Sequence, residues 1–347
     1  MATLAATALT YADWAKRLDD GFKIARIIEL LSQTNEILED LMVVEGNLPT
    51  GHKTTVRTAI PQATWRLLNQ GVPNAKSATA QITDTCGNLE TYSVIDKDVA
   101  DLNGNTAEFR LSEVKAFLEG MSQQVSSTLF YGNQFTNPER FTGFAPRYST
   151  VTATSAATSA NVLDAAGVGS TNTSIWGVVW GSDTTHGTFP KGKVTGLQHK
   201  DMGEWPVTDA SGNTYQAYRD HFKWEIGLVV RDWRYNFRIA NVDTTLLSGV
   251  SAPNLINLLV RGLYRWPTAP ATASAVQTSD TPEIKAGMGR GVLYCNRVVR
   301  TYLDLQAMNK TNVLLRLTEY NGKVQTDFRG IPIRTCDALL NNEARVT

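Results

Sequence analysis

Ala107, Leu111, Val114, Leu118, Met121, Val125 and Leu129 follow one another at steps of four and three, with no proline before Gly132 ends the run. That spacing keeps one face apolar at 3.6 residues per turn and predicts an unbroken helix over 106–131. At 1.5 Å per residue it would be roughly 39 Å long, the spine of a domain. Upstream the pattern weakens. Thr10 and Asp13 resemble a capping box, with Ala12, Ala15 and Leu18 on one face up to Gly21. Phe22, Ile24, Ile27, Ile28 and Leu31 form a second stripe, and Ile37, Leu38, Leu41 and Met42 a third. Helices this short are marginal alone in water, so the arm they form is expected to dock on its own subunit or on another.

Between 46 and 105, segments 54–58 and 62–68 read as strands, and Gly71, Pro73, Gly87 and Gly104 punctuate polar connections. The expectation is a long two-stranded excursion. It has too few large apolar residues for a core of its own, and long loops in compact folds are usually functional. Beyond the spine, 149–174 is small and hydroxylated, with no lysine or arginine between Arg147 and Lys191, which suits a domain boundary near Tyr148. In 229–240, Val229, Trp233, Tyr235, Phe237 and Ile239 alternate with Asp232, Arg234, Asn236 and Arg238, predicting a strand with one buried and one wet face. A helix is expected over 254–264, a mobile loop over 268–281, a short strand over 291–296 and a helix over 297–308. Asn321-Gly322 between 314–320 and 323–329 signals a hairpin, and 330–340 closes the fold.

Composition narrows the class. Of 347 residues, 42% are hydrophobic and 19% charged, which excludes a disordered or fibrous chain. The 33 basic residues balance 33 acidic ones, so nothing favours clamping phosphate along the whole chain, and any nucleic-acid contact would be local and weak. The three cysteines, Cys86, Cys295 and Cys336, are too few and too scattered for a disulfide framework or a four-thiolate zinc site and read as buried thiols. The start lacks a basic n-region, and the longest apolar stretches fall far short of the ~20 residues that span a bilayer. A soluble, non-exported protein is expected.

Candidate chemistry is sparse. His186, His199, Asp201 and His221 could be imagined as a metal site, but their intervals match no helix-borne zinc spacing; with His52 they read as surface or loop histidines. Gly287, Gly289 and Gly291 precede a strand rather than link a strand to a helix, so they read as a turn and not a phosphate cradle. There is no nucleophile elbow and no Walker lysine. Arg231, Arg234 and Arg238, interleaved with Trp233, Tyr235 and Phe237, could form a single-strand platform, but alternation puts most arginines and aromatics on opposite faces, so burial in a sheet is the better account. No catalytic, cofactor-binding or metal residue is assigned, and no cofactor is expected. Charge is segregated: Glu36, Glu39, Asp40 and Glu45 lie in a stretch without bases, whereas Lys53, Arg57, Arg66 and Lys76 lie in one without acids. Two readings fit: both stretches are solvated surface, or arm and loop reach neighbouring subunits, where complementary charge sets orientation.

Several strings, in order, resemble the major capsid proteins of tailed bacteriophages with the Hong Kong 97 fold, podophage-like. Phe130-Tyr131-Gly132-Asn133 and Asn137-Pro138-Glu139-Arg140-Phe141-Thr142-Gly143 look like the exit from that family's spine helix. Thr173-Ser174-Ile175-Trp176-Gly177-Val178-Val179-Trp180-Gly181, Phe189-Pro190-Lys191-Gly192, Asp201-Met202-Gly203-Glu204, Phe222-Lys223-Trp224-Glu225-Ile226-Gly227-Leu228 and Arg238-Ile239-Ala240-Asn241 look like its axial strands. Phe328-Arg329-Gly330-Ile331-Pro332-Ile333 resembles the late returning strand.

The resemblance implies an α+β fold: an N-terminal arm (1–46), an extended loop with flanking strands (47–105), a peripheral domain with the spine helix (106–148), an axial β-rich domain (149–290) and return elements (291–347). It implies a non-enzymatic shell protein that assembles with itself, in the bacterial host cytoplasm, as pentamers and hexamers of an icosahedral capsid around double-stranded DNA. Implied partners are a separate scaffolding protein, a portal, a cement or decoration protein and non-specific contact with packaged DNA, with no membrane. Lys76 lies where some members carry a cross-linking lysine, but nothing around it fixes a match, so none is assigned. Alternatives are an encapsulin-like nanocompartment, a metal-dependent hydrolase using His186, His199 and Asp201, and a carbohydrate-binding surface protein using the eight tryptophans.

Overall fold

A computed structural model describes Leu9 and residues 31–104, 106–152, 156–209, 211–249, 252–267, 289–308, 315–320 and 323–347. The first two expected arm helices and the loop expected at 268–281 lie outside the described residues, apart from Leu9 and Leu31.

The chain opens with a one-turn helix α1 (Ile37–Asp40) and a short strand β1 (Val43–Glu45), then the antiparallel pair β2 (Gly51–Ala59) and β3 (Ala78–Asp96). A turn of helix α2 (Lys97–Ala100) leads to the spine α3 (Thr106–Tyr131), as its periodicity predicts, and to α4 (Phe144–Arg147). The remainder is mostly sheet: β4 (Val162–Asp164), β5 (Asn172–Trp180), β6 (Thr185–Phe189), β7 (Leu197–Thr208), β8 (Thr214–Val230) and β9 (Asn236–Asp243). Helix α5 (Leu255–Leu263), β10 (Arg290–Cys295), α6 (Arg297–Met308), β11 (Leu315–Tyr320), β12 (Lys323–Phe328) and β13 (Ile331–Thr335) complete the fold. The backbone of the sheet runs β11-β12-β13-β10-β5-β6-β8-β3-β2. Both late helices start as the sequence dictates: the Asn254 side chain accepts from Asn257 N, and Asn296 Oδ1 accepts from Val299 N.

β5 explains the architecture. Every residue of it is buried, which is why its sequence reads as a continuous run rather than an alternation. Trp176, Val178 and Trp180 face one apolar cluster with Ile37, Val125, Leu129, Phe130, Phe144, Leu228 and Tyr294. Ile175 and Val179 face another with Phe237, Ile239, Leu255, Leu259, Val299, Leu303 and Ile333. Between these side chains, Gly177 leaves a slot for the Phe237 ring: a Cβ there would lie 2.2 Å from Phe237 Cε1. Gly177→Ala is therefore expected to cost about 1–3 kcal/mol by overpacking, read as a lower urea midpoint of the unassembled subunit. An unchanged midpoint would refute the slot.

Four expectations are corrected. The second strand of the excursion is not 62–68; that stretch pairs with nothing, and β3 from Ala78 onward pairs with β2, running straight through Gly87. Pro61 and Pro73 deny the intervening segment ladder donors at both ends. Second, 229–240 is not one strand. It breaks after Val230 into a 3-10 turn at Trp233–Tyr235, whose Asp232 side chain accepts from Arg234 N, and β9 is buried on both faces, including Arg238. Third, 149–174, small and hydroxylated though it is, contributes to the core: Val162 and Leu163 are buried, β4 pairs parallel with β9, and the Asn161 amide donates to the carbonyls of Trp233, Arg234 and Asn236. Fourth, the front of the spine stripe is not core. Leu111 is 54% exposed, and Phe109 instead joins Ile95, Val99 and Ala100 in a small cluster.

Candidate assembly surface

The spine buries most of its apolar side chains in its second half, from Met121 to Phe130, and stops at Gly132, where a Cβ would lie 2.4 Å from the Phe141 carbonyl oxygen and 2.6 Å from that of Thr128. The front half is held by Phe109, by Phe117 stacked on Phe222, and by charge. Arg110 Nη2 lies 2.7 Å from Asp201 and 3.0 Å from Asp220, His199 Nε2 is also 3.0 Å from Asp220, and Lys97 pairs with Glu204 at 2.7 Å. The β7–β8 ribbon is thereby clamped over the start of the spine. The Arg110 hydrogen bond holds the Asp201 carboxyl below its ordinary range.

The described end of the arm, 31–45, docks on its own subunit. Ile37 is fully buried, β1 pairs parallel with β6, and Gly187 N donates to the Met42 carbonyl at 2.7 Å. Much of the acidic stretch serves the same end. Asp40, with a side chain 1% exposed, faces Arg290 at 3.1 Å and Arg334 at 3.4 Å and accepts from Tyr294 Oη at 3.0 Å; Glu36 accepts from Thr335 N at 2.7 Å, and Glu45 from Gly192 N at 2.8 Å. The expectation that these acids reach across to a neighbour is not met for Glu36, Asp40 and Glu45.

The loop behaves differently. The β2–β3 pair is rooted by Arg147, which donates to Asp84 at 2.7 Å, and the nine residues of β2 carry the chain ~30 Å outward at 3.3 Å each. Its tip, 60–77, is exposed throughout. Trp65 is 100% exposed and Leu68 87%, with Ile60, Leu67 and Val72 also in solvent and Arg66 and Lys76 the charges among them. Apolar side chains gathered this way are a docking surface rather than ordinary surface.

The other sequence candidates separate. His199 pairs with Phe222 and Lys200 with His221, so His199 and His221 lie on opposite faces of the ribbon, while His186 sits in β6 beside Val229. His221 stacks on Tyr92 and meets Glu90 at 3.4 Å. Among the described residues no group of three or more His, Cys, Asp or Glu could hold a metal ion. Contrary to a surface reading, His186 is buried. Arg231, Arg234 and Arg238 pair with Asp183, Asp232 and Glu343, so no free row of guanidinium groups remains for a nucleic-acid platform. Gly291 lies within the paired part of β10, opposite Val179, and Gly287 lies outside the described residues. Burial pushes the thiols of Cys86, Cys295 and Cys336 up to about 12, which keeps them protonated. Among the described residues no helix is long and apolar enough to cross a membrane.

A docked arm, an outstretched loop, a long helix and a sheet of this order belong to a shell-forming subunit of the tailed-phage capsid class. A model of the family described as major capsid protein GP7 matches residues 19–347, and the chain belongs to that family. It is similar to a chain of the cryo-EM structure of bacteriophage Epsilon15, at 36% identity over 100% of both chains with a TM-score of 0.76. Weaker likenesses are to the capsid of bacteriophage JBD30 (9% identity, 92% of this chain and 95% of that one, TM-score 0.46) and the SrpI encapsulin of Synechococcus elongatus PCC 7942 (9% identity, 65% and 94%, TM-score 0.39). No curated protein matches. This is the major capsid protein of a bacteriophage, and copies of it form the icosahedral shell of the virion.

Proposed function

We propose that residues 60–77 are the grip by which one subunit holds the next as pentamers and hexamers close around double-stranded DNA, and that the chain has no catalytic site. The observation carrying this is the fully exposed Trp65 among Ile60, Leu67, Leu68 and Val72 on a ribbon that its own subunit leaves uncovered. A buried aromatic anchor with aliphatic neighbours is the usual centre of a protein interface. The divergence of His186, His199 and His221 speaks against the hydrolase alternative. In this reading 1–46 is the arm, 47–105 the loop and its flanking strands, 106–148 the peripheral domain, 149–290 the axial domain and 291–347 the return elements. A separate scaffolding protein, a portal and a cement protein complete the particle, and the balanced charge keeps contact with packaged DNA weak and non-specific.

The test is the double variant Trp65→Ser/Leu68→Ser. Its side chains touch nothing within the subunit core, so circular dichroism and the unfolding midpoint should stay within about 0.5 kcal/mol of wild type. Shells should be absent from electron micrographs of the variant expressed with its genomic neighbours. Normal shells would overturn the proposal.

A further inference from the structure

The root of the loop crosses β6 on a buried polar contact that assembly does not explain. His52, on β2, meets His186, on β6, edge to face, with ring centroids 5.6 Å apart and planes at 86°. His186 is 1% exposed. Neither of its ring nitrogens has a hydrogen-bond partner of normal geometry, and His52 Nδ1, Thr54 Oγ1, Thr188 Oγ1 and Asp84 Oδ2 are also buried without one. The surrounding charges come from every element packed there. Asp84 on β3 opposes His52 in the ladder and binds Arg147 of α4. Arg231, after β8, is tied to Asp183 in the β5–β6 turn. Cys86 on β3, uncharged, points its thiol at the Thr188 carbonyl. Such a contact is tolerated while both rings are neutral, and a proton on either ring meets Arg231 and the other imidazole, offset only in part by the Gly181 backbone and Asp183 at His186 and by Asp84, already tied to Arg147, at His52.

We infer that the His52–His186 contact is an acid-sensitive latch: with both rings neutral it holds the root of the loop against β6, and protonation releases the root and frees the loop to reorient. Burial, then His52 and Arg231, lowers the His186 imidazole to about 4, partly offset by Gly181 and Asp183; burial and Arg231 also lower His52, opposed by Asp84. The sign follows. Well above pH 6.5 both rings are neutral whether docked or released, and pH has no effect there. As the pH falls from 6.5 towards 4, the released root takes up a proton that the docked root refuses, so docking weakens through that window and release at pH 5 rises on the order of tenfold over pH 8.

The test is hydrogen exchange of the 51–57 amides in the intact chain between pH 8 and pH 4.5, corrected for intrinsic rates, in wild type and His186→Gln. Wild type should lose protection at these amides between pH 6.5 and 4.5, before the spine amides do, and His186→Gln should show a clearly smaller step, the part that His52 alone carries. A root protected throughout, or a step of the same size and midpoint in the variant, overturns the latch. Should His186→Gln fail to fold, ring-carbon NMR of labelled histidines in wild type decides. The His186 signal should titrate well below 6.5 together with the loss of protection, and titration near 6.5 with the root still protected would refute it.

Discussion

Glu343→Ala should unfold the subunit more readily than any substitution on its surface, by about 3–5 kcal/mol. Glu343 Oε2 accepts from Arg238 Nη2 at 2.7 Å and from Ser174 Oγ at 2.5 Å, and its Oε1 accepts from Tyr131 Oη at 2.5 Å. Arg238 also donates to the Tyr148 carbonyl at 2.9 Å and lies over the Trp176 ring. Both charged side chains are 5% exposed. Five separate stretches of chain meet there: the end of the spine, the link after α4, strand β5, strand β9 and the C-terminal segment. Truncating the carboxylate leaves the guanidinium in low dielectric without its counter-charge, which is the costly half of breaking a buried pair. Arg238→Met/Glu343→Leu removes both charges together and should recover part of the loss, because Tyr131 Oη still accepts from Leu340 N at 3.0 Å while Ser174 loses its partner. Urea unfolding of the unassembled subunit measures all three. A loss under 1 kcal/mol for Glu343→Ala, or a double variant worse than the sum of its singles, would contradict the account.

The same network shows where sequence reading stops. The spine was legible because its information is local: seven apolar positions at helical spacing, closed by a glycine. The helices at α5 and α6 and the β11–β12 hairpin were legible for the same reason, each carrying its cap or turn residues within a few positions. Arg238 was not. Alternation along 229–240 puts it on a wet face, and what buries it is a carboxylate 105 residues away. The apparent second strand at 62–68 failed for the opposite reason. Trp65, Leu67 and Leu68 look like strand residues, but the edge of β2 is already taken by 78–85, and among the described residues nothing covers them. Patterning reports which side chains need to be buried. It does not report whether their own chain buries them, and in a shell protein that distinction decides which residues hold the subunit and which hold the neighbour.

Asp40→Lys puts that distinction to its hardest test. Judged by sequence, Glu36, Glu39 and Asp40 belong to one acidic stretch, either solvated or reaching a neighbouring subunit, and nothing in the pattern tells the three apart. The structure divides them. Asp40 is enclosed by Arg290, Arg334 and the Tyr294 hydroxyl, which itself accepts from Trp180 Nε1 at 2.7 Å. Burial, although opposed by both arginines, raises its carboxyl above the ordinary range, a mark of how little water reaches it. A lysine there would be a third cation, with Glu36 beside Arg334 the one carboxylate left to oppose it among the described residues, and would pull α1, with the buried Ile37, away from the core. The expected loss is at least about 3–5 kcal/mol, seen as aggregation or a collapsed unfolding midpoint in the isolated subunit. Asp40→Asn, which keeps the Tyr294 hydrogen bond, should lose less. Glu39, exposed on the same turn, should change by no more than about 0.5 kcal/mol on conversion to lysine. If Asp40→Lys gave a subunit of normal stability that merely failed to form shells, the arm's acids would belong to the contact between subunits after all.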